Sequence, residues 1–122
     1  MPGAILHVAA GCIMFIVGRY YFKSYFYDTK EKMFLAIVCL FFSCLPDSFL
    51  AVYYITHFLP FETLLRYHVF AHVIFTPLAV VGLLVLRYKV DVRRRSIWVI
   101  GLWCIVLHIV MDVVVPESGV WV

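Results

Sequence analysis

The chain has 122 residues, 66% of them hydrophobic and 14% charged, with a mean hydropathy of +1.03 and a net charge of +3. Ordinary soluble domains are about 45–50% apolar and about 25% charged, so a soluble globule of this length could not hide so much apolar surface. The composition predicts one transmembrane domain over residues 1–122. It also predicts an all-α, integral membrane four-helix bundle, because the apolar runs are continuous and a membrane barrel needs roughly eight or more alternating strands.

A helical span needs about 20 apolar residues. Four segments qualify: 4–22, 33–57, 64–87 and 96–115. The first carries His7 and leads on to further spans, so it reads as a retained helix, not a cleaved leader. The aromatic stretch Tyr20–Tyr27 reads as an interfacial continuation of that helix, since aromatic rings suit the headgroup zone. Asp28-Thr29-Lys30-Glu31 reads as a polar turn with a helix start near Thr29. Pro60 marks a second turn, Pro77 should kink the third span, and Pro116 should end the fourth. The cysteines Cys12, Cys39, Cys44 and Cys104 form no C-x-x-C pair and read as small buried hydrophobes.

Charge placement predicts orientation. Arg19, Lys23, Lys30 and Lys32 flank the first connection, and Arg87, Lys89, Arg93, Arg94 and Arg95 flank the third. Basic loops stay in the cytoplasm, so both termini and the 58–63 connection are expected outside. The basic run 87–95 reads as this topology signal, and no nucleic-acid partner is expected.

The ionisable residues inside the apolar runs carry the functional argument. His7, Asp47, His57, His68, His72, His108 and Asp112 all lie in or at the edge of a predicted span. Such residues cost free energy in a bilayer unless paired, hydrated or metal-bound. Counted at 1.5 Å per residue, all but His57 fall in a layer roughly 5–15 Å below the outer surface. His68 and His72 are i, i+4 and share a helix face, as do His108 and Asp112. Asp47 follows Pro46, and breaks of this kind persist in membranes where they line a cavity or are buried in protein. Gly3 and Gly11 lie on the face of His7, so another helix can come close. Imidazole with carboxylate is a ligand mixture for divalent transition metals, zinc first, with copper or iron as alternatives. The expected metal ligands are His7, Asp47, His68, His72, His108 and Asp112, with Asp47 and Asp112 as candidate catalytic bases. A lone span histidine is more often a hydrogen-bonded core residue, and His57 is read that way.

In order along the chain stand His7-Val8-Ala9-Ala10-Gly11, Leu45-Pro46-Asp47, Arg66-Tyr67-His68-Val69-Phe70-Ala71-His72, and His108-Ile109-Val110-Met111-Asp112 followed by Pro116-Glu117-Ser118-Gly119-Val120. This order resembles the YdjM-like membrane-bound metal-dependent hydrolases, a family distantly akin to zinc phospholipases C and single-strand nucleases. The resemblance covers most of the chain through short motifs. It departs where Phe49 stands in place of a second acid, and where the third motif lacks the family's Gly, Thr and Ser. The resemblance implies metal-dependent hydrolysis at the six ligands.

Two readings follow. One is a metallohydrolase taking a lipid-linked phosphate or ester from the outer leaflet. The other is a non-catalytic accessory subunit of a larger membrane metalloenzyme, for example a copper monooxygenase of the ammonia-oxidising kind. It rests on the small extramembrane mass and the many aromatics, 11 Phe, 8 Tyr and 3 Trp.

Overall fold

The computed structural model describes residues 4–48, 52, 55, 56, 58 and 60–114. Among them the protein is all-helical, with no strand. Helix α1 runs Ala4–Tyr21, α2 Thr29–Cys44, α3 Phe61–Lys89 and α4 Val92–Val114. The predictions at Gly3, Phe49, His57 and Pro116 to Val120 lie outside the described residues.

The α1 C-terminus departs from expectation. The helix does not continue through Tyr27. The Phe22 N–H donates to the Gly18 carbonyl at 2.9 Å, and the Tyr25 N–H to the Phe22 carbonyl at 2.8 Å, closing a turn. That turn delivers Phe26 into the core at 4% exposure, so an apolar anchor, and not an interfacial helix, ends this segment. Asp28 then caps α2 through its backbone carbonyl, which accepts the Lys32 N–H at 3.1 Å.

Helix α2 starts at Thr29, where the polar turn predicts it, and stops at Cys44, within the expected span 33–57. Pro46 has no N–H for the Phe42 carbonyl. The following donors turn back by three residues: Asp47 N–H to the Cys44 carbonyl and Ser48 N–H to the Leu45 carbonyl, each at 3.2 Å. The third and fourth helices, Phe61–Lys89 and Val92–Val114, are longer than the segments 64–87 and 96–115 expected for them.

Helix α3 starts after Pro60, whose carbonyl accepts from Thr63 and Leu64 at 3.0 and 3.2 Å. Ahead of Pro77 the helix widens into a π-helical stretch, Ala71–Phe75. The Thr76 N–H and hydroxyl both donate to the Ala71 carbonyl, the hydroxyl at 3.1 Å. The five-residue reach sets a wider turn before the proline, and such π turns are frequent at functional sites.

Two of the helices, Phe61–Lys89 and Arg94–Val114, are long and apolar enough to cross a membrane by length and composition, and Ile5–Tyr21 is a shorter apolar helix. Helix α1 packs on α2 and α4, α2 on α4, and α4 on the second half of α3. The core joins Phe26, Leu35, Val38, Cys39, Ile97, Ile100 and Cys104, flanked by Met14, Phe15, Phe22 and Phe42. Glycines let these helices touch. A Cβ on Gly11 would lie 3.2 Å from the Cys39 carbonyl oxygen, and one on Gly18 would lie 2.6 Å from Ile100 Cδ1. All four cysteines are free thiols; Cys39 and Cys104 are fully buried, whereas Cys12 is exposed.

Candidate metal centre

The helix ends away from the basic connections bring six polar side chains together. Helix α1 supplies His7, one turn before Gly11 and its close contact with α2. The turn after α2 supplies Asp47. Helix α3 supplies His68 and, from its π stretch, His72. Helix α4 supplies His108 and Asp112 from one face. Thus all six metal-ligand candidates read from the sequence converge.

The contacts are close. His7 Nε2 lies 3.0 Å from Asp47 Oδ2 and 3.8 Å from Asp112 Oδ1. His72 Nε2 lies 3.0 Å from Asp112 Oδ2, and His108 Nε2 lies 3.1 Å from the same oxygen. Asp47 Oδ1 lies 3.6 Å from His68 Nδ1, 3.8 Å from His72 Nε2 and 3.7 Å from His108 Nε2. The His7 and His108 rings stack with centroids 4.0 Å apart, and His68 and His72 meet at 4.3 Å.

Two backbone carbonyls fix which ring nitrogens face inward. His108 Nδ1 lies 2.6 Å from the Ser43 carbonyl, and His72 Nδ1 lies 3.2 Å from the His68 carbonyl. A carbonyl only accepts, so each Nδ1 carries the proton and donates it. In the neutral ring this leaves the Nε2 lone pair as an acceptor aimed at a carboxylate. Metal-ligating histidines are oriented in this way, by a hydrogen bond from the other ring nitrogen. The Ser43 carbonyl is available because the Asp47 N–H, its partner in a continuous helix, bonds Cys44 instead. This positioning role has no side-chain signature; Pro46, which ends the helical register, is its one trace in the sequence. The Thr76 hydroxyl bonds back along its helix, while Ser43 contributes its carbonyl.

The cluster leaves many of its polar atoms unpaired. His7 Nδ1 and Nε2, Asp47 Oδ1 and Oδ2, His68 Nδ1, His108 Nε2 and Asp112 Oδ1 are buried without a hydrogen-bond partner in the protein. Each such atom costs about 1–3 kcal/mol, and native proteins carry only a few per 100 residues. With Nδ1 as the donor, the Nε2 lone pairs of His72 and His108 meet the Asp112 carboxylate at 3.0 and 3.1 Å, contacts that are attractive only with a proton or a cation between them. A metal ion answers that demand, and the donor set of neutral nitrogens and carboxylate oxygens fits one. The buried His/Asp cluster could therefore hold a metal ion.

Access is lopsided. His7, Asp47 and His108 side chains are 1%, 4% and 0% exposed, whereas His72 and Asp112 reach 24% and 17%. The cluster thus opens along the seam between α3 and α4. A cavity of about 100 Å3 lies between the α2 break and the π turn, lined by Pro46, Ser48, Ala71, Phe75 and Thr76. A larger cavity, about 560 Å3, is at the opposite end beside Lys30, Glu31, Asp91 and Arg94 and is not part of this cluster.

Comparison with known proteins gives no assignment: no family model matches the chain, and neither a curated protein nor a solved structure does.

Proposed function

We propose that the chain is integral to the cell membrane, with both termini extracytoplasmic, and that it is a metal-dependent hydrolase of a lipid-linked phosphate or ester. The observation that carries the reading is the convergence of four imidazoles and two carboxylates, seven of whose atoms are buried without a hydrogen-bond partner. The motif order shared with the YdjM-like hydrolases supports the same chemistry. The apolar helix surfaces and the separation of the basic connections from the cluster support the orientation.

His7, His68, His72 and His108 would supply the nitrogens, and Asp47 and Asp112 the oxygens, with zinc as the first candidate and copper or iron as alternatives. A divalent ion held there supplies a Lewis acid for a phosphoryl or acyl oxygen and lowers the pKa of a coordinated water. The chain's own residues do the rest. The Ser43 and His68 carbonyls hold two imidazoles in the ligating tautomer. Asp112 is the better-placed general base: it sits at the accessible edge, while Asp47 is enclosed. An acyl or prenyl tail would lie in the bilayer against α3 and α4, with its head at the seam.

The test is hydrolysis by the full chain in mild detergent, metal-loaded and after chelation, with a long-chain lipid phosphate and a matched ester as substrates. Metal-dependent release of phosphate or acid is expected, and Asp112→Asn should abolish it while retaining part of the metal. A chain that copurifies with larger membrane subunits and carries no metal would overturn this reading in favour of an accessory subunit.

A further inference from the structure

The geometry points to two metal ions in this cluster, with Asp47 as the carboxylate that bridges them. The inference rests on the metal-centre reading above and goes beyond it in number, assignment and ligand charge.

The donors divide into two groups. One atom each from His7, Asp47, His108 and Asp112 lie within 4.8 Å of one another, as do atoms from Asp47, His68 and His72. The six do not close as a single group. Ligands on one zinc-sized ion sit about 2.0–2.2 Å from it, so two of them are at most about 4.4 Å apart. One ion therefore cannot reach all six donors as they stand, whereas their division into two groups fits two ions.

Asp47 belongs to both groups, and its oxygens divide between them. Oδ2 lies 3.0 Å from His7 Nε2, while Oδ1 lies 3.6 Å from His68 Nδ1 and 3.8 Å from His72 Nε2. Oδ1 is also 3.7 Å from His108 Nε2, so the two sites adjoin. Asp112 reinforces the seam, with Oδ2 3.0 Å from His72 and 3.1 Å from His108. One ion draws His7 and His108, the other His68 and His72, and the carboxylates lie between. Paired ions about 3.5–4 Å apart, held by side chains from facing helices, are an established arrangement in helical proteins.

Charge then narrows the substrate. One divalent ion against two carboxylates and four neutral imidazoles leaves the cluster neutral. Two leave it at +2, which in a low-dielectric interior demands an anion. That favours a phosphate ester over an uncharged carboxylic ester.

The test is zinc stoichiometry on the full chain, stripped by chelator in detergent and titrated back. The expected result is two ions per chain in the wild type and one in His68→Ala. A single ion in the wild type overturns the bridged pair while leaving the metal centre standing; none overturns the metal centre as well. Two ions in both proteins overturns the assignment of His68. Manganese loading of the wild type needs no variant: an exchange-coupled paramagnetic spectrum is expected, and an isolated-ion spectrum at full loading overturns the pair. Inorganic phosphate should bind the two-ion form at least about tenfold tighter than the one-ion variant, about 1.4 kcal/mol; equal binding overturns the charge argument.

Discussion

Two layers of the same helices follow opposite rules. One turn from His108 and Ser43, the side chains of Cys39 and Cys104 are fully buried among Leu35, Val38 and Ile100. That layer is complete in itself: its apolar side chains meet one another, and the Cys39 and Cys104 thiols are hydrogen-bonded together. The His/Asp layer buries seven named nitrogen and oxygen atoms that find no partner. The first layer holds α1, α2 and α4 together. The second draws on that rigidity to keep acceptor atoms pointed at one another. The contrast separates stability from binding, and it can be attacked from either side.

The largest effect is expected at the polar layer. His108→Ala removes a donor nitrogen and leaves the Ser43 carbonyl unpaired. Metal affinity at the His7 and His108 side of the cluster should fall by more than about 100-fold, since even outer-shell changes cost about 10–100-fold. Detergent-resistant helicity should persist, and elemental analysis with circular dichroism checks both. Acid should act on the same layer alone. Protons compete with metal for the imidazoles, so occupancy should fall as pH drops through about 6 and return as it rises. Equilibrium dialysis across that range would show it.

The apolar layer should respond in the opposite way. Ile100→Ala empties a fully enclosed position and should cost about 2–5 kcal/mol in a denaturing-detergent titration, with metal per folded chain unchanged. Gly18→Val brings a side chain against Ile100 and should cost about 1–3 kcal/mol, less because the clashing atom ends a flexible side chain. Ile13→Ala, on an exposed face of α1, should shift stability by no more than about 0.5 kcal/mol. If Ile100→Ala strips the metal as completely as His108→Ala, the two layers are not separable.

How much of this was legible in the sequence follows from the same contrast. Histidines and aspartates are rare inside apolar runs, so each was conspicuous, and i, i+4 spacing alone joined His68 to His72 and His108 to Asp112. The helix termini near Thr29 and after Pro60 were also readable from polar and proline punctuation. Pro46 announced a break, but not that the helix ends at Cys44, because hydrophobicity continues across the proline and does not report where backbone donors go. The π turn at Ala71–Phe75 is hidden for the same reason. Phe26 was misread because an aromatic beside lysines and tyrosines suits an interface as well as a core. The Ser43 carbonyl is signalled only indirectly, by Pro46, since any residue offers a carbonyl.

The most direct test of the account is X-ray absorption at the metal edge of the reconstituted wild-type protein. The account predicts nitrogen and oxygen ligands at about 2.0–2.2 Å, with the outer-shell scattering of imidazole and no sulfur. A sulfur shell near about 2.3 Å would contradict it, because it would move the metal from the His/Asp layer to the cysteines beneath.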